Sequence, residues 1–142
     1  IVGLPFAWIL YDDASESLER TGAITLGIAL LSLAAVGVFH LPHGWHAPMA
    51  IVHFIATMGF LWFFGLGTMQ RGDLERGAVT VGLGFVVLGT WLYWTLVLGD
   101  VGIAIPEFVG ALALGGTVFV EAFRKLEALD RSEAVAGLRS SP

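Results

Sequence analysis

This sequence has few charged residues. Charged residues make up 13% of its 142 residues, while hydrophobic residues make up 56% and the mean hydropathy is +0.82. No Asp, Glu, Lys or Arg occurs within residues 21–70 or within residues 77–99. A soluble domain carries about a quarter charged residues, which cover its surface. The composition therefore excludes a water-soluble fold and predicts a polytopic membrane protein.

Cysteine is absent, and lysine occurs once, at Lys125. The absence of cysteine excludes disulfides, thiolate metal sites and cysteine nucleophiles. Twelve acidic residues stand against seven basic ones, and an acid-rich surface with almost no lysine is typical of a halophile. No basic patch occurs outside one short tail, so we expect no nucleic-acid partner.

The motifs of common enzymes are missing as well. The sequence has no serine elbow, no phosphate-binding glycine loop, no HExxH and no paired-carboxylate signature. We therefore predict no catalytic residues, which favours a protein that is not an enzyme. Small residues four positions apart predict helix packing instead. The pairs are Ala78 with Gly82, Ala111 with Gly115, and Ala113 with Thr117.

Five apolar segments predict an all-α transmembrane helical bundle over residues 1–125. They cover residues 1–11, 22–39, 48–69, 78–98 and 106–123. Residues 126–142 mix charged and small residues and predict a cytoplasmic, partly disordered tail. The first segment is too short to cross about 30 Å of hydrocarbon. We therefore expect that the native chain starts earlier and has six helices.

The basic residues give the bundle an orientation. With five helices, alternate connections fall on opposite sides of the membrane, and all seven basic residues fall on the side of the tail. Cytoplasmic loops carry an excess of Lys and Arg. We therefore predict a multi-pass protein of the cell membrane, with its tail inside and the loop at residues 40–47 outside. The basic residues are Arg20, Arg71, Arg76, Arg124, Lys125, Arg131 and Arg139.

Histidine is the one reactive side chain that is concentrated in a single region. His40, His43 and His46 lie in the predicted outer loop, and His53 lies inside the third apolar segment, on the same helical face as His46. Three interpretations stay open. The imidazoles ligate a transition metal or a haem, they contact a polar substrate or a lipid headgroup, or they only hydrogen-bond to helix ends and neighbouring hydroxyls.

Besides Asp100, the outer region offers the histidines one acidic residue, Glu107, which is the nearest acidic partner of His53 by depth. It lies in the first predicted turn of the last helix, where a carboxylate is stabilised by the helix dipole. Alternatively, it faces the histidine loop as a proton acceptor or metal ligand. We place the candidate ligand-binding site at the outer mouth of the bundle, lined by His46, His53 and Glu107, with His43 and Trp45 as a lid. Candidate metal ligands are His43, His46 and His53.

Glu121 lies three and four residues before Arg124 and Lys125. This is the spacing of ion pairs on one helix, so we predict local pairing and no further role.

The run GLPFAWIL, followed by a helix that ends in the GVF step and by HLPHGWHAPMAIVHF, resembles the domain of unknown function 998 family of prokaryotic membrane proteins. This resemblance implies about six helices, of which one N-terminal helix is missing here, and it brings no assigned activity. The pair Phe39 and His40 departs from the pattern, in which an acid or Pro is more usual. Matching residues are Gly37, Val38, Phe39, His46, Ala47, Ala50 and Phe54.

The function predicted from these features is that of a non-enzymatic integral membrane protein. It would be a lipid- or small-molecule-binding bundle without a cofactor, or a subunit of a membrane assembly. Its partners would be membrane lipids and, in an assembly, further membrane subunits or copies of itself. The alternative is a haem- or metal-binding membrane redox protein that uses His46 and His53.

Overall fold

The structure, a computed structural model, describes residues 3–99 and 102–139, with side chains up to residue 133. Within these residues the chain forms five α-helices and no strand, which confirms the predicted all-α fold. They are α1 (Leu4–Asp12), α2 (Ser17–Val38), α3 (His46–Gln70), α4 (Leu74–Tyr93) and α5 (Ala104–Arg139). A π-helical segment, Trp94–Leu98, continues α4.

Four of the helices are long and apolar enough to cross a membrane: α2, α3, α4 with its π-helical extension, and α5. Their outer surfaces carry large apolar side chains such as Ile51, Phe85 and Phe108, each of which is more than half exposed. Such a surface is stable only against hydrocarbon. The chain is therefore an integral membrane protein with a helical transmembrane bundle.

Helices α2 to α5 each start before the residue that the apolar pattern predicts. Helix α2 begins at Ser17 and α4 at Leu74, because charged residues end the membrane-embedded part of a helix without ending the helix itself. Helix α5 continues to Arg139, so the segment predicted as a partly disordered tail is helical over residues 126–139. The first two residues of the first predicted segment and the last three of the tail lie outside the described residues.

The backbones of α2 and α3 approach each other closely at two glycines. A Cβ atom on Gly22 would lie 2.6 Å from the Cβ of Phe64 and 2.7 Å from its backbone nitrogen. A Cβ on Gly67 would lie 2.6 Å from the backbone nitrogen of Glu19. Only glycine fits at these positions. Phe64 belongs to the hydrophobic core, which also holds the largest fully buried apolar side chains. These are Phe60, Leu26, Leu61 and Val87.

The predicted small-residue pairs are used only in part. Ala113 and Thr117 are buried, as packing residues should be. Ala78, Gly82, Ala111 and Gly115 are exposed, and a Cβ on either glycine would meet no atom within 4 Å. The prediction that these two pairs pack within the bundle was wrong, because the spacing of small residues does not show which face of a helix is turned inward.

Candidate functional site

The loop between α2 and α3 holds three of the predicted site residues. The backbone N–H of Trp45 donates to Nδ1 of His43, at 3.2 Å, and the His43 ring stacks on Phe39. Nδ1 of His46 lies 2.7 Å from the carbonyl oxygen of Phe39, where it donates to the C-terminal end of α2. Trp45 itself is 58% exposed. In the structure these contacts order the loop.

His53 is buried in the α2–α3 interface, with 6% of its surface exposed. Its Nδ1 lies 2.9 Å from the carbonyl oxygen of Ala29, to which it donates across the two helices. His53 therefore faces the neighbouring helix rather than lipid. The polar group that it meets is a backbone carbonyl of α2.

Glu107 is half-buried in the first turn of α5. Helices α3 and α5 do touch near this depth, since a Cβ on Gly110 would lie 2.9 Å from the ring of Phe54. Phe54 follows His53 directly, and consecutive helical residues point about 100° apart, because one turn takes about 3.6 residues. Phe54 therefore faces α5 while His53 faces α2. Binding of a ligand by these residues together stays a prediction.

No three His, Asp or Glu side chains come together as metal ligands in the part of the chain that the structure describes. His46 and His53 nevertheless share one feature with metal-binding histidines. Each donates Nδ1–H to a backbone carbonyl, and in a neutral imidazole with this tautomer the lone pair lies on Nε2. Ligation through either Nε2 also stays a prediction.

The opposite end of the bundle holds a cluster of ion pairs, called the network below, to which each of the five helices or the turn after it contributes a residue. Arg71 lies 3.2 Å from Glu19, and Lys125 lies 2.5 Å from Asp13. Of the remaining three pairs, two connect α4 or the turn before it to α5, and one lies between α4 and that turn. They are Arg76 with Glu121 at 3.5 Å, Arg76 with Asp73 at 3.2 Å, and Arg124 with Asp73 at 3.5 Å.

Two carboxylates of this network are buried. Glu19 is 1% exposed and Glu121 is 5% exposed. The local pairing predicted for Glu121 was wrong: Glu121 pairs with Arg76 of α4, while Arg124 and Lys125 pair with Asp73 and Asp13. The side chain of Glu121 faces the bundle, where desolvation makes an arginine from a neighbouring helix its favoured partner.

A cavity of about 20 Å³ lies between the two buried carboxylates. Besides Glu19 and Glu121, its polar lining consists of Asp13, Arg71 and Lys125. This volume accommodates about one water molecule, which needs two to four polar partners. The charges of both signs around it make the cavity a part of the network rather than an opening for a larger ligand.

A larger groove of about 370 Å³ lies between α4 and α5. Its polar lining comprises Asp73, Glu75, Arg76, Glu121 and Arg124, together with two threonines. The rest of the groove is apolar, formed by Val79, Leu83, Gly116 and Val120. The charged groups lie at the end of the groove near the start of α4, so the groove is amphipathic along its length.

The sequence did not predict this groove, although one signal for it was present. Glu121 interrupts the apolar run Ala111–Phe123, and an acidic residue inside a spanning segment indicates a functional or paired group. Its pairing partner, Arg76, lies 45 residues away in sequence, so only the three-dimensional arrangement identifies it.

Comparison with known proteins found no matching family model, no matching curated protein and no matching solved structure. The resemblance to the domain of unknown function 998 family therefore depends only on the residues quoted for it and stays a prediction.

Proposed function

We propose that this integral membrane protein binds a membrane phospholipid in the groove between α4 and α5. The observation that carries the proposal is the amphipathic lining of the groove, charged at one end and apolar along the rest. A lipid has the same polarity pattern along its length. Pockets that hold a small ligand are lined mainly by apolar residues, with a few polar groups that fix its orientation.

The position of the groove in the membrane supports a lipid as its occupant. Val79 is 61% exposed and Val120 is 49% exposed, so the apolar part of the groove opens sideways, toward the hydrocarbon. The charged part lies at the level of the turn between α3 and α4, where the helices reach the membrane surface. An acyl chain that lies along the apolar part would thus leave its headgroup beside the ion pairs.

The test is a substitution whose side chain fills the groove and leaves the packing of the bundle unchanged. A Cβ on Gly116 would meet no atom within 4 Å, so Gly116→Leu should fold and occupy space that the lipid needs. Its matched control is Gly115→Leu, an equally open position that does not line the groove. Phospholipid that copurifies with each variant is quantified by mass spectrometry per mole of protein. We expect Gly116→Leu to lose most of this lipid and Gly115→Leu to retain it; equal retention would contradict the proposal.

We propose that the protein spans the cell membrane several times. In the proposed orientation, the charged end of the groove lies on the cytoplasmic side. All seven Lys and Arg residues fall on that side of the predicted topology and none on the other, which supports this orientation. Because the chain has no cysteine, single-cysteine variants at Gly44 and Ala136 can be labelled with an impermeant reagent on intact cells. Labelling at position 44 alone is expected. Labelling at position 136 alone would show that the protein has the opposite orientation.

A haem- or metal-binding redox protein is the second candidate function. The observation that favours it is the Nε2 lone pair that His46 and His53 retain beside their carbonyl contacts. A visible absorption spectrum and elemental analysis of the purified protein test it. A Soret band that disappears in His53→Ala would support ligation by His53, whereas a protein purified without metal or chromophore after expression with added haem and metals would argue against it.

A further inference from the structure

The charged end of the groove is an alternating chain of charges. Glu121 pairs with Arg76, Arg76 also pairs with Asp73, and Asp73 also pairs with Arg124. Glu75 lies beside this chain in the first turn of α4 and also lines the groove. Three carboxylates therefore face two guanidinium groups, which leaves one excess negative charge.

The two arginines differ in what they can offer a ligand. The side chain of Arg76 is 15% exposed and is held by carboxylates on two sides. The side chain of Arg124 is 51% exposed, and its ion pair with Asp73 uses Nη2. A guanidinium has five N–H donors in a fixed fork that suits phosphate oxygens. Arg124 is thus the cation of the groove that is available to a phosphate.

Glu75 gives the groove an acceptor for a second group. Its side chain is exposed, and no ion pair involves it in the part of the chain described by the structure. A carboxylate accepts hydrogen bonds from an ammonium group, which has N–H donors, and receives none from a quaternary amine, which has no N–H. The excess negative charge also disfavours a headgroup that is anionic overall.

On the basis of the lipid-binding function proposed above, we propose that the groove selects a zwitterionic phospholipid whose headgroup carries both a phosphate and a primary ammonium. The phosphate binds Arg124 and the ammonium binds Glu75. The phosphate and the ammonium of the headgroup thus each meet an exposed side chain of opposite charge. The apolar wall at Val79, Leu83 and Val120 holds an acyl chain. Lipids of the ethanolamine class have this chemistry.

The test uses the full chain in detergent with an equimolar mixture of phosphatidylethanolamine, phosphatidylcholine and phosphatidylglycerol. Native mass spectrometry counts the adducts of each lipid. We expect an enrichment of the ethanolamine lipid over the choline lipid of about threefold, the size of effect that one exposed ion pair gives. Glu75→Gln should abolish this enrichment and keep the total lipid bound, whereas Arg124→Gln should lower the binding of all three lipids. Glu127→Gln, which changes an acid outside the groove, is the control and should leave the enrichment unchanged.

The outcomes separate the two proposals. If Gly116→Leu loses its lipid but the native chain binds the three headgroups equally, the headgroup assignment is overturned and the lipid groove stands. Enrichment of phosphatidylglycerol, or an enrichment that survives Glu75→Gln, overturns the assignment as well. Glycerophosphoethanolamine, which has the headgroup without acyl chains, is added as a competitor. Displacement of the lipid at equal concentration would identify a soluble headgroup compound as the ligand instead of a membrane lipid.

Discussion

Two helix pairs of this bundle are built in opposite ways. Helices α2 and α3 meet through glycines, so that backbone lies against backbone at Gly22 and Gly67. Helices α4 and α5 leave a groove of about 370 Å³ between them and are tied at one end by the ion pair of Arg76 with Glu121. The comparison teaches that this chain uses close packing to join one helix pair and charge to hold together the pair that leaves a groove.

The largest effect is expected where the close contact is broken. In Gly22→Leu the new side chain would begin 2.6 Å from the Cβ of Phe64 and 2.7 Å from backbone that cannot move aside. Overpacking of a core costs about 1–3 kcal/mol, and a backbone clash belongs at or above the top of this range. Thermal unfolding in detergent should show a large loss of stability. Gly27→Leu on the same helix, where a Cβ meets nothing within 4 Å, should unfold near the native temperature; an equal loss in both variants would contradict the close contact.

Removing the charge that joins α4 to α5 should have the next largest effect. Arg76→Gln leaves Glu121 as a buried carboxylate without its partner, and breaking a buried pair in this way costs about 3–5 kcal/mol in soluble proteins. We expect the lower end here because Glu121 lies near the membrane surface. Chemical unfolding in mixed micelles measures the loss. Adding Glu121→Gln to the same chain should recover part of the stability, while Arg131→Gln, which breaks an exposed pair, should change it little. No recovery in the double variant would show that Glu121 is not the group left uncompensated.

A smaller effect is expected from the hydrogen bond between α3 and α2. His53→Ala removes the donor to the Ala29 carbonyl, and such bonds contribute about 0.6 kcal/mol on average in a membrane bundle, with a maximum of about 1.7. The lost packing of the ring adds to this, so we expect a loss of about 2 kcal/mol. His43→Ala in the exposed loop is the control for the same unfolding measurement. A variant as stable as the native protein would mean that the carbonyl contact contributes nothing.

The smallest effect has the opposite sign. Gly115→Ala places a methyl group in open space on α5, and alanine stabilises a helix over glycine by about 0.5–1 kcal/mol. We expect a small rise in unfolding temperature. A fall would indicate that another molecule packs against this face in the purified protein.

The same two helix pairs also show which features of the structure can be predicted from the sequence. The stretches without Asp, Glu, Lys or Arg at residues 21–70 and 77–99 were enough to predict a helical membrane bundle, because the bilayer demands length and hydrophobicity from each helix separately. The glycines were not enough to predict the packing, since Gly22 and Gly27 lie on one helix and only their facing differs. The partner of His53 escapes sequence reasoning for another reason: it is a backbone carbonyl, which every residue possesses. Local spacing misled for Glu121 because the rule for ion pairs on one helix contains nothing about neighbouring helices.

Helix α5 has 36 residues, which corresponds to a rod about 54 Å long at about 1.5 Å per residue. The hydrocarbon layer measures about 30 Å, so about 24 Å of the rod, a little under half of its length, extends beyond that layer. An unbroken helix has no joint at the membrane surface, and it transmits torque along its axis. A torque applied to α5 beyond Arg131 would therefore turn Glu121 and Arg124 about the helix axis together. The part of α5 that extends beyond the hydrocarbon layer is thus mechanically coupled to the charged end of the groove.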